Sequence, residues 1–282
     1  FEISAELEPN TLAERVLRLE NGEANSDGLL PTHTFHALWF LGESHVAGRS
    51  TTLSDAEISE GRGFVYRRAT GTVTHLQDPT GNDSTAIAGD GRGSWGPRAG
   101  KTIIEMTNGA IGALVVNSGV GSSTIVSHWA DGGGGWTTAL SDWADAKDKM
   151  AIAHRAICGV SVMIAIGSND ASISTSKAVF KAAYIDLISR VRTEFGYNVP
   201  ILILLTASFA NGDYATEVAY IQDAQREICK EVANVRLVTN ATEYAGEKGW
   251  FMDSVHFNQL GNEAIGAALG VTSLTVGSGG IV

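Results

Sequence analysis

The chain has 282 residues, of which 44% are hydrophobic and only five are proline, so it can bury a core of its own and is not a disordered segment. Its formal charge of −11, from 20 basic and 31 acidic side chains, argues against nucleic acid and anionic membrane surfaces as partners. No apolar run reaches the eighteen or so residues of a membrane span.

Residues 1–30 are acidic, with one helix expected over 11–19. The chain begins at Phe1 rather than methionine and shows no signal-peptide pattern, which reads as a processed or trimmed product. Residues 36–42 (HALWFLG) form the first expected strand. The stretch 50–100 is rich in Gly, Thr, Asp and Ser and has no sustained periodicity; it reads as loop and short strands decorating one end of a sheet. A helix over 101–107 and a strand over 112–117 (GALVVN) follow. The glycine run 132–135 lacks the Lys and Ser/Thr of a phosphate loop and reads as a mobile surface loop.

A helix over 142–156 then leads to a strand over 159–167 (GVSVMIAIG). In the helix expected over 177–195, Val179, Ala182, Ala183, Ile185, Leu187, Ile188 and Val191 recur at helical spacing as a packing stripe. A strand over 199–207, a helix over 217–232, a strand over 235–240 and a helix over 259–269 complete the pattern. The tail 271–282 alternates like a strand but has no obvious partner. Cys158 and Cys229 read as two buried thiols rather than a disulfide framework.

This order predicts an α/β protein: a three-layer α/β/α sandwich around a central parallel sheet of about five strands, whose Val, Ile and Leu content suits burial on both faces. The domain is expected over 36–270, flanked by an N-terminal extension or linker (1–35) and a C-terminal tail (271–282). Either end could join neighbouring domains of a longer chain.

The first chemical signal is the segment LWFLGESHVAGRS, where an apolar strand runs into Ser44. A serine just past a strand end exposes its hydroxyl and has backbone N–H groups nearby to face an oxyanion, although serine before a helix also serves simply as a cap. The second is DSVH: Asp253 and His256, three residues apart, can share one side of a turn, the carboxylate orienting the imidazole. A surface pair is the plainer alternative. The third is IAIGSNDAS, where Asn169 follows a buried strand and can donate its amide to a developing negative oxygen, or merely cap the next helix. The fourth is VVNSGVGSSTIVSHW, a small-residue turn in which the N–H of Gly121 or Ser122 could serve as another donor. Parallel sheets gather the residues at the carboxyl ends of their strands into one crevice.

In this order the blocks resemble those of the SGNH (GDSL-like) hydrolases. They are most similar to the sialate O-acetylesterase-like and acetylxylan-esterase-like carbohydrate esterases of family six, through GESHVAGR, SWGPRAG, VGSSTIVSHW, GSND and DSVH; the resemblance spans residues 38–269. It implies a flavodoxin-like SGNH fold with Ser44 as nucleophile, His256 as general base and Asp253 as its orienting carboxylate. The oxyanion hole would comprise the Ser44 N–H, a loop N–H from Gly121 or Ser122, and the Asn169 amide. It implies an acetylated carbohydrate substrate, no metal or organic cofactor, and a secreted or surface location. Glu43 stands where the family carries Asp or Gln, which bears on substrate subclass rather than on chemistry.

Trp95, Arg98, His128, Trp129 and Trp136 fall in segments expected near the site, and tryptophan faces suit sugar rings, with buried packing as the alternative. Glu43, His45 and Asp170 could suggest a metal phosphoesterase, but the further ligands such a site needs are missing. His154, placed in a helix, His33 and His36 read as structural. Two other functions compete with a carbohydrate O-deacetylase: a lipase, thioesterase or arylesterase for small apolar esters, and a non-catalytic glycan-binding module.

Overall fold

The computed structural model describes residues 34–81 and 92–276. Its strands are β1 (Thr34–Gly42), β2 (Gly63–Arg67), β3 (Thr72–His75), β4 (Ile111–Asn117), β5 (Ala156–Ala165), β6 (Ile201–Ile203) and β7 (Val235–Leu237). They form one seven-stranded sheet in the order β3-β2-β4-β1-β5-β6-β7. Every neighbouring pair is parallel except β2 with β3. The helices are α1 (Ser44–Ala47), α2 (Gly96–Met106), α3 (Gly134–Ile152), α4 (Ser168–Ser172), α5 (Lys177–Phe195), α6 (Ala215–Glu231) and α7 (Gln259–Val276).

β1 lies at the centre, pairing Leu38 with Val115 of β4 and Ser161 of β5, and all nine of its residues are buried. Successive strand side chains point to opposite faces. Phe35, Ala37, Trp39 and Leu41 therefore enter one core with Trp143 of α3, Tyr184 of α5 and Ile221 of α6. Leu38 and Phe40 enter the other core with Ile103 of α2 and Ile265 of α7. These two cores give the three layers. From β1 the chain moves to β2, β3 and β4 on one side, then crosses to β5 on the other. Such a reversal opens a crevice at the carboxyl ends of the strands on either side of it.

The α/β class and the mostly parallel sheet agree with the sequence. The strand count does not: β2 and β3 come from the stretch read as loop and short strands, and they extend one edge of the sheet rather than decorating its end. GFVYR and TVTH are five and four residues long, too short for alternation to stand out among glycines and threonines. β6 and β7 are shorter than expected, and Ala156 belongs to β5 rather than to the preceding helix.

The glycine run 132–135 is not a loop throughout, since α3 begins at Gly134. Trp136 in its first turn is only 6% exposed and packs on Trp39 at a centroid distance of 5.9 Å, an anchor that outweighs the poor helix propensity of glycine. On α5 the buried face is Phe180, Tyr184, Leu187, Ile188 and Val191, whereas Val179 and Ile185 of the expected stripe are exposed. Residues 271–276 continue α7 rather than forming a strand. His154 lies just past α3, in a turn with φ 53°. Cys158 and Cys229 are free, the first buried and the second partly so. The helix expected over 11–19, His33 and residues 277–282 lie outside the described residues.

Candidate active site

β1 ends at Gly42, and Ser44 opens the short helix α1 at the carboxyl edge of the sheet. Its backbone is held from several directions. The Glu43 N–H donates to the Ala165 carbonyl at the end of β5 (3.1 Å), the Glu43 carbonyl accepts from the Val46 N–H (3.0 Å), and the Asn117 amide donates to the Val46 carbonyl (2.7 Å).

The loop that follows β7 brings His256 across 212 residues to Ser44, with Nε2 2.9 Å from Oγ. His256 Nδ1 lies 2.7 Å from Asp253 Oδ2, and Asp253 Oδ1 accepts from the N–H groups of Val255 (2.8 Å) and His256 (2.6 Å). Partial burial works against the charge on Asp253, but those two N–H groups and the His256 ring outweigh it and hold the carboxyl below its usual range. An ionised carboxylate only accepts, so Nδ1 carries the ring proton and Nε2 is left to accept from the Ser44 hydroxyl.

Asn169 arrives from the carboxyl end of β5, in the first turn of α4. Its side-chain nitrogen donates to Glu43 Oε2 (2.6 Å) and to the Ser123 carbonyl (3.1 Å). Glu43 also accepts the backbone N–H groups of Ser168 at Oε1 (2.9 Å) and Asn169 at Oε2 (3.0 Å). The loop after β4 is fixed to the same framework: Asp170 accepts the Ile125 N–H (3.0 Å), and Ser123 Oγ accepts the Trp129 indole N–H (2.9 Å). Burial pushes Asp170 up to about 6.

These side chains surround a cavity of about 320 Å³ whose lining includes Ser44, His256, Asn169, Ser122, Arg49 and Phe209. Ser122 adopts φ 58°, in the left-handed region, and lines this cavity, while Gly121 does not.

The structure thus gathers Ser44, Asp253, His256, Asn169 and Ser122, but not the residues expected to bind sugar. Trp95 is fully buried between α2 and α7, and Trp129 and Trp136 belong to the core under α3. None of the three has a face open to a ligand, because indoles of that size are spent on filling the sandwich. Arg98 sits on α2, which packs along α7, and His128 is exposed and bonded to Ser127 Oγ (2.8 Å); neither lines the cavity. Glu43, His45 and Asp170 do not converge on a common point: Glu43 binds Asn169, Asp170 binds Ile125, and His45 Nε2 lies 3.3 Å from Ser168 Oγ. Arg49, Phe209 and Val255 line the cavity without having been singled out in the sequence. Arg49 and Val255 carried a signal, lying in the quoted segments GESHVAGR and DSVH, whereas Phe209 did not.

A mostly parallel sheet that brings a serine, a histidine and a carboxylate together at the ends of its strands has the arrangement of a serine hydrolase. The chain belongs to the GDSL-like Lipase/Acylhydrolase family, whose model matches residues 40–264, and this makes it an esterase or acylhydrolase. The fold is similar to that of a protein from Arabidopsis thaliana (TM-score 0.64, 15% identity, covering 85% of this chain and 98% of that one). It is also similar to that of NanS (TM-score 0.63, 11% identity, 87% and 96%). A third likeness is to a carbohydrate acetylesterase from Xanthomonas citri (TM-score 0.55, 15% identity), covering 89% of this chain and 57% of that one. At these identities the likeness is one of fold. No curated protein matches the chain in sequence.

Proposed function

We propose that the protein is a serine esterase that removes O-acetyl groups from carbohydrate through an acyl-enzyme on Ser44. The observation that carries this reading is the continuous hydrogen-bonded line Ser44 Oγ, His256 Nε2, His256 Nδ1, Asp253 Oδ2, with distances of 2.9 Å and 2.7 Å. His256 takes the Ser44 proton as Oγ attacks the ester carbonyl, and Asp253 stabilises the imidazolium that results. The proton then passes to the sugar oxygen as its bond to the acyl carbon breaks, and water, deprotonated by the same imidazole, attacks the acyl-enzyme to release acetate and free Ser44.

The oxyanion is held by backbone N–H groups of Ser44 and Ser122 and by the Asn169 amide, which exchanges its contact with the Ser123 carbonyl for the developing charge. Ser122 rather than Gly121 is taken as the loop donor because Ser122 lines the cavity. The cavity, at about 320 Å³, is at the small end for ligand pockets, which favours a short acyl chain beside the sugar carbons next to the ester. Ser122, Ser168, Ser172 and Arg49 give that cavity hydrogen-bonding groups suited to a polyhydroxylated leaving group.

Acetate release from acetylated xylan, acetylated sialic acid and bacterial polysaccharide, compared between wild type and Ser44→Ala, tests the reading. Release is expected from the wild type alone, and nitrophenyl esters should be cleaved less readily as the acyl chain lengthens. Activity retained in Ser44→Ala, or a preference for long acyl chains, overturns it.

A further inference from the structure

Beneath the nucleophile lies a carboxylate that the chemistry above does not use. Glu43 is 2% exposed, and three N–H donors converge on its two oxygens: Ser168 N, Asn169 N and Asn169 Nδ2. We infer that Glu43 is a positioning residue for the reaction, holding the Asn169 side chain so that its nitrogen, and not its oxygen, is the end available to the oxyanion. This rests on the reading of Asn169 as an oxyanion donor.

The argument is one of acceptors. An asparagine amide has nearly the same shape in its two flipped orientations, so only its partners decide which end faces a given point. In the resting structure two acceptors demand the nitrogen, Glu43 Oε2 at 2.6 Å and the Ser123 carbonyl at 3.1 Å. Once the second amide proton turns from Ser123 to the oxyanion, Glu43 alone still fixes the orientation. A charged acceptor is suited to this, because the flipped amide would set its oxygen against a carboxylate oxygen.

Three converging N–H donors favour the ionised form, since protonation gives up an acceptor site and places a fourth hydrogen among them. Burial pushes Glu43 up to about 7, with the N–H groups of Asn169 and Ser168 pulling the other way and Asp170 on α4 adding to the rise. The other titratable groups around it are His45 on the same turn, which reaches it through Ser168, and Tyr184 on α5. Burial pushes His45 down to about 3, and Tyr184 is pushed well up, so both stay neutral while Glu43 titrates. The clamp on Asn169 therefore opens and closes near neutral pH.

The test is a mutant cycle on nitrophenyl acetate with wild type, Glu43→Ala, Glu43→Gln, Asn169→Ala and Glu43→Ala/Asn169→Ala, Ser44→Ala serving as the inactive control. Glu43→Ala is expected to lose about two orders of magnitude in kcat with little change in KM, as removal of one oxyanion donor does. The double variant should be no slower than Asn169→Ala, because the two residues act as one unit. Glu43→Gln, the neutral isostere of the protonated carboxyl, should fold, and its kcat should fall towards that of the wild type with Glu43 protonated. The acid limb of log kcat against pH should be steeper in wild type than in Glu43→Gln. Losses that multiply in the double variant, wild-type kcat in Glu43→Ala, or the same acid limb in wild type and Glu43→Gln each overturn the inference. Should Glu43→Ala fail to fold, the acid limb of Glu43→Gln decides. Absent hydrolysis by the wild type, or hydrolysis surviving in Ser44→Ala, would instead count against the proposed function.

Discussion

A β-carbon placed on Gly42 would sit 2.2 Å from the Ala165 carbonyl oxygen and 2.5 Å from Val46 Cγ2. The same carbonyl accepts the Glu43 N–H, so the nucleophile's turn and the end of β5 lock together only if position 42 has no side chain. Gly42 has φ 154°, and Gly167 repeats the arrangement after β5 with φ 152° and Thr206 Oγ1 2.2 Å from where its β-carbon would be. Gly42→Ala is expected to destabilise the fold by more than about 2 kcal/mol and to lower kcat, since neither the backbone of β5 nor that of α1 can retreat. Urea unfolding alongside kcat checks this; a variant equal to wild type in both would contradict the close approach.

The Asp253 carboxylate decides the tautomer of His256. Asparagine at this position can still accept the Val255 and His256 N–H groups through its oxygen, but it presents an N–H to Nδ1, so the ring proton is displaced to Nε2 and no longer points at the carboxylate. Asp253→Asn should then lose about three to four orders of magnitude in kcat while KM and the folding midpoint stay close to wild type. Slower labelling of Ser44 by a serine-directed inhibitor should accompany it. Wild-type labelling rates in Asp253→Asn would show that Asp253 does not orient the base.

What could be read from the sequence was what repeats or ends abruptly. β1, β4 and β5 are near-continuous apolar runs ending in small residues, so both the strands and the positions just beyond them were visible; Ser44 and Asn169 followed from that. Asp253 and His256 were visible as a pair because three residues separate them, whereas their approach to Ser44 depends on a contact across 212 residues that no local pattern encodes. β2 and β3 went unrecognised as members of the sheet because strands of five and four residues carry too little alternation. The tryptophans misled for a physical reason: loops rich in small polar residues suggest exposure, yet Trp129 and Trp136 are held by the core beneath them, and Trp129 also by Ser123. Glu43 registered as a departure from the family motif and as a discounted metal ligand, but not as a partner of Asn169, since its partners lie 125 and 126 positions away.

Ser122 carries a side chain in a backbone conformation that favours glycine, with φ 58°. The left-handed region costs an L-residue about 1 kcal/mol or more. Only the N–H of this residue is assigned to the reaction, so Ser122→Gly should relieve the strain without removing the donor. The expected result is kcat within a few-fold of wild type and, after subtraction of the entropy glycine adds to the unfolded chain, stability unchanged or raised by up to about 1 kcal/mol. A hundredfold loss of kcat in Ser122→Gly would mean that the hydroxyl, not the N–H, serves the reaction.

His36 makes acid stability testable. It is 4% exposed on β1, and its Nε2 lies 3.0 Å from Ser161 Oγ, which itself donates to the Ser273 carbonyl; the Nε2–H is therefore the donor and Nδ1 stays bare. Burial pushes the imidazole from 6.5 down to about 4, so between those values the unfolded chain binds a proton that the folded chain does not. Stability from this residue is complete above pH 6.5 and is lost as pH falls towards 4, by about 3 kcal/mol in all. His45 acts in the same direction from the same 6.5 and continues down to about 3, while Glu43, raised to about 7, acts in the opposite direction because its proton is bound more tightly in the folded state. Comparison with His36→Gln isolates the first effect, since glutamine keeps a donor for Ser161 without a titrating group. Between pH 7 and 4.5 the wild type should lose about 2 to 3 kcal/mol more than the variant, read from urea midpoints at each pH. Parallel losses in the two proteins would place the acid sensitivity elsewhere than in the buried imidazole of β1.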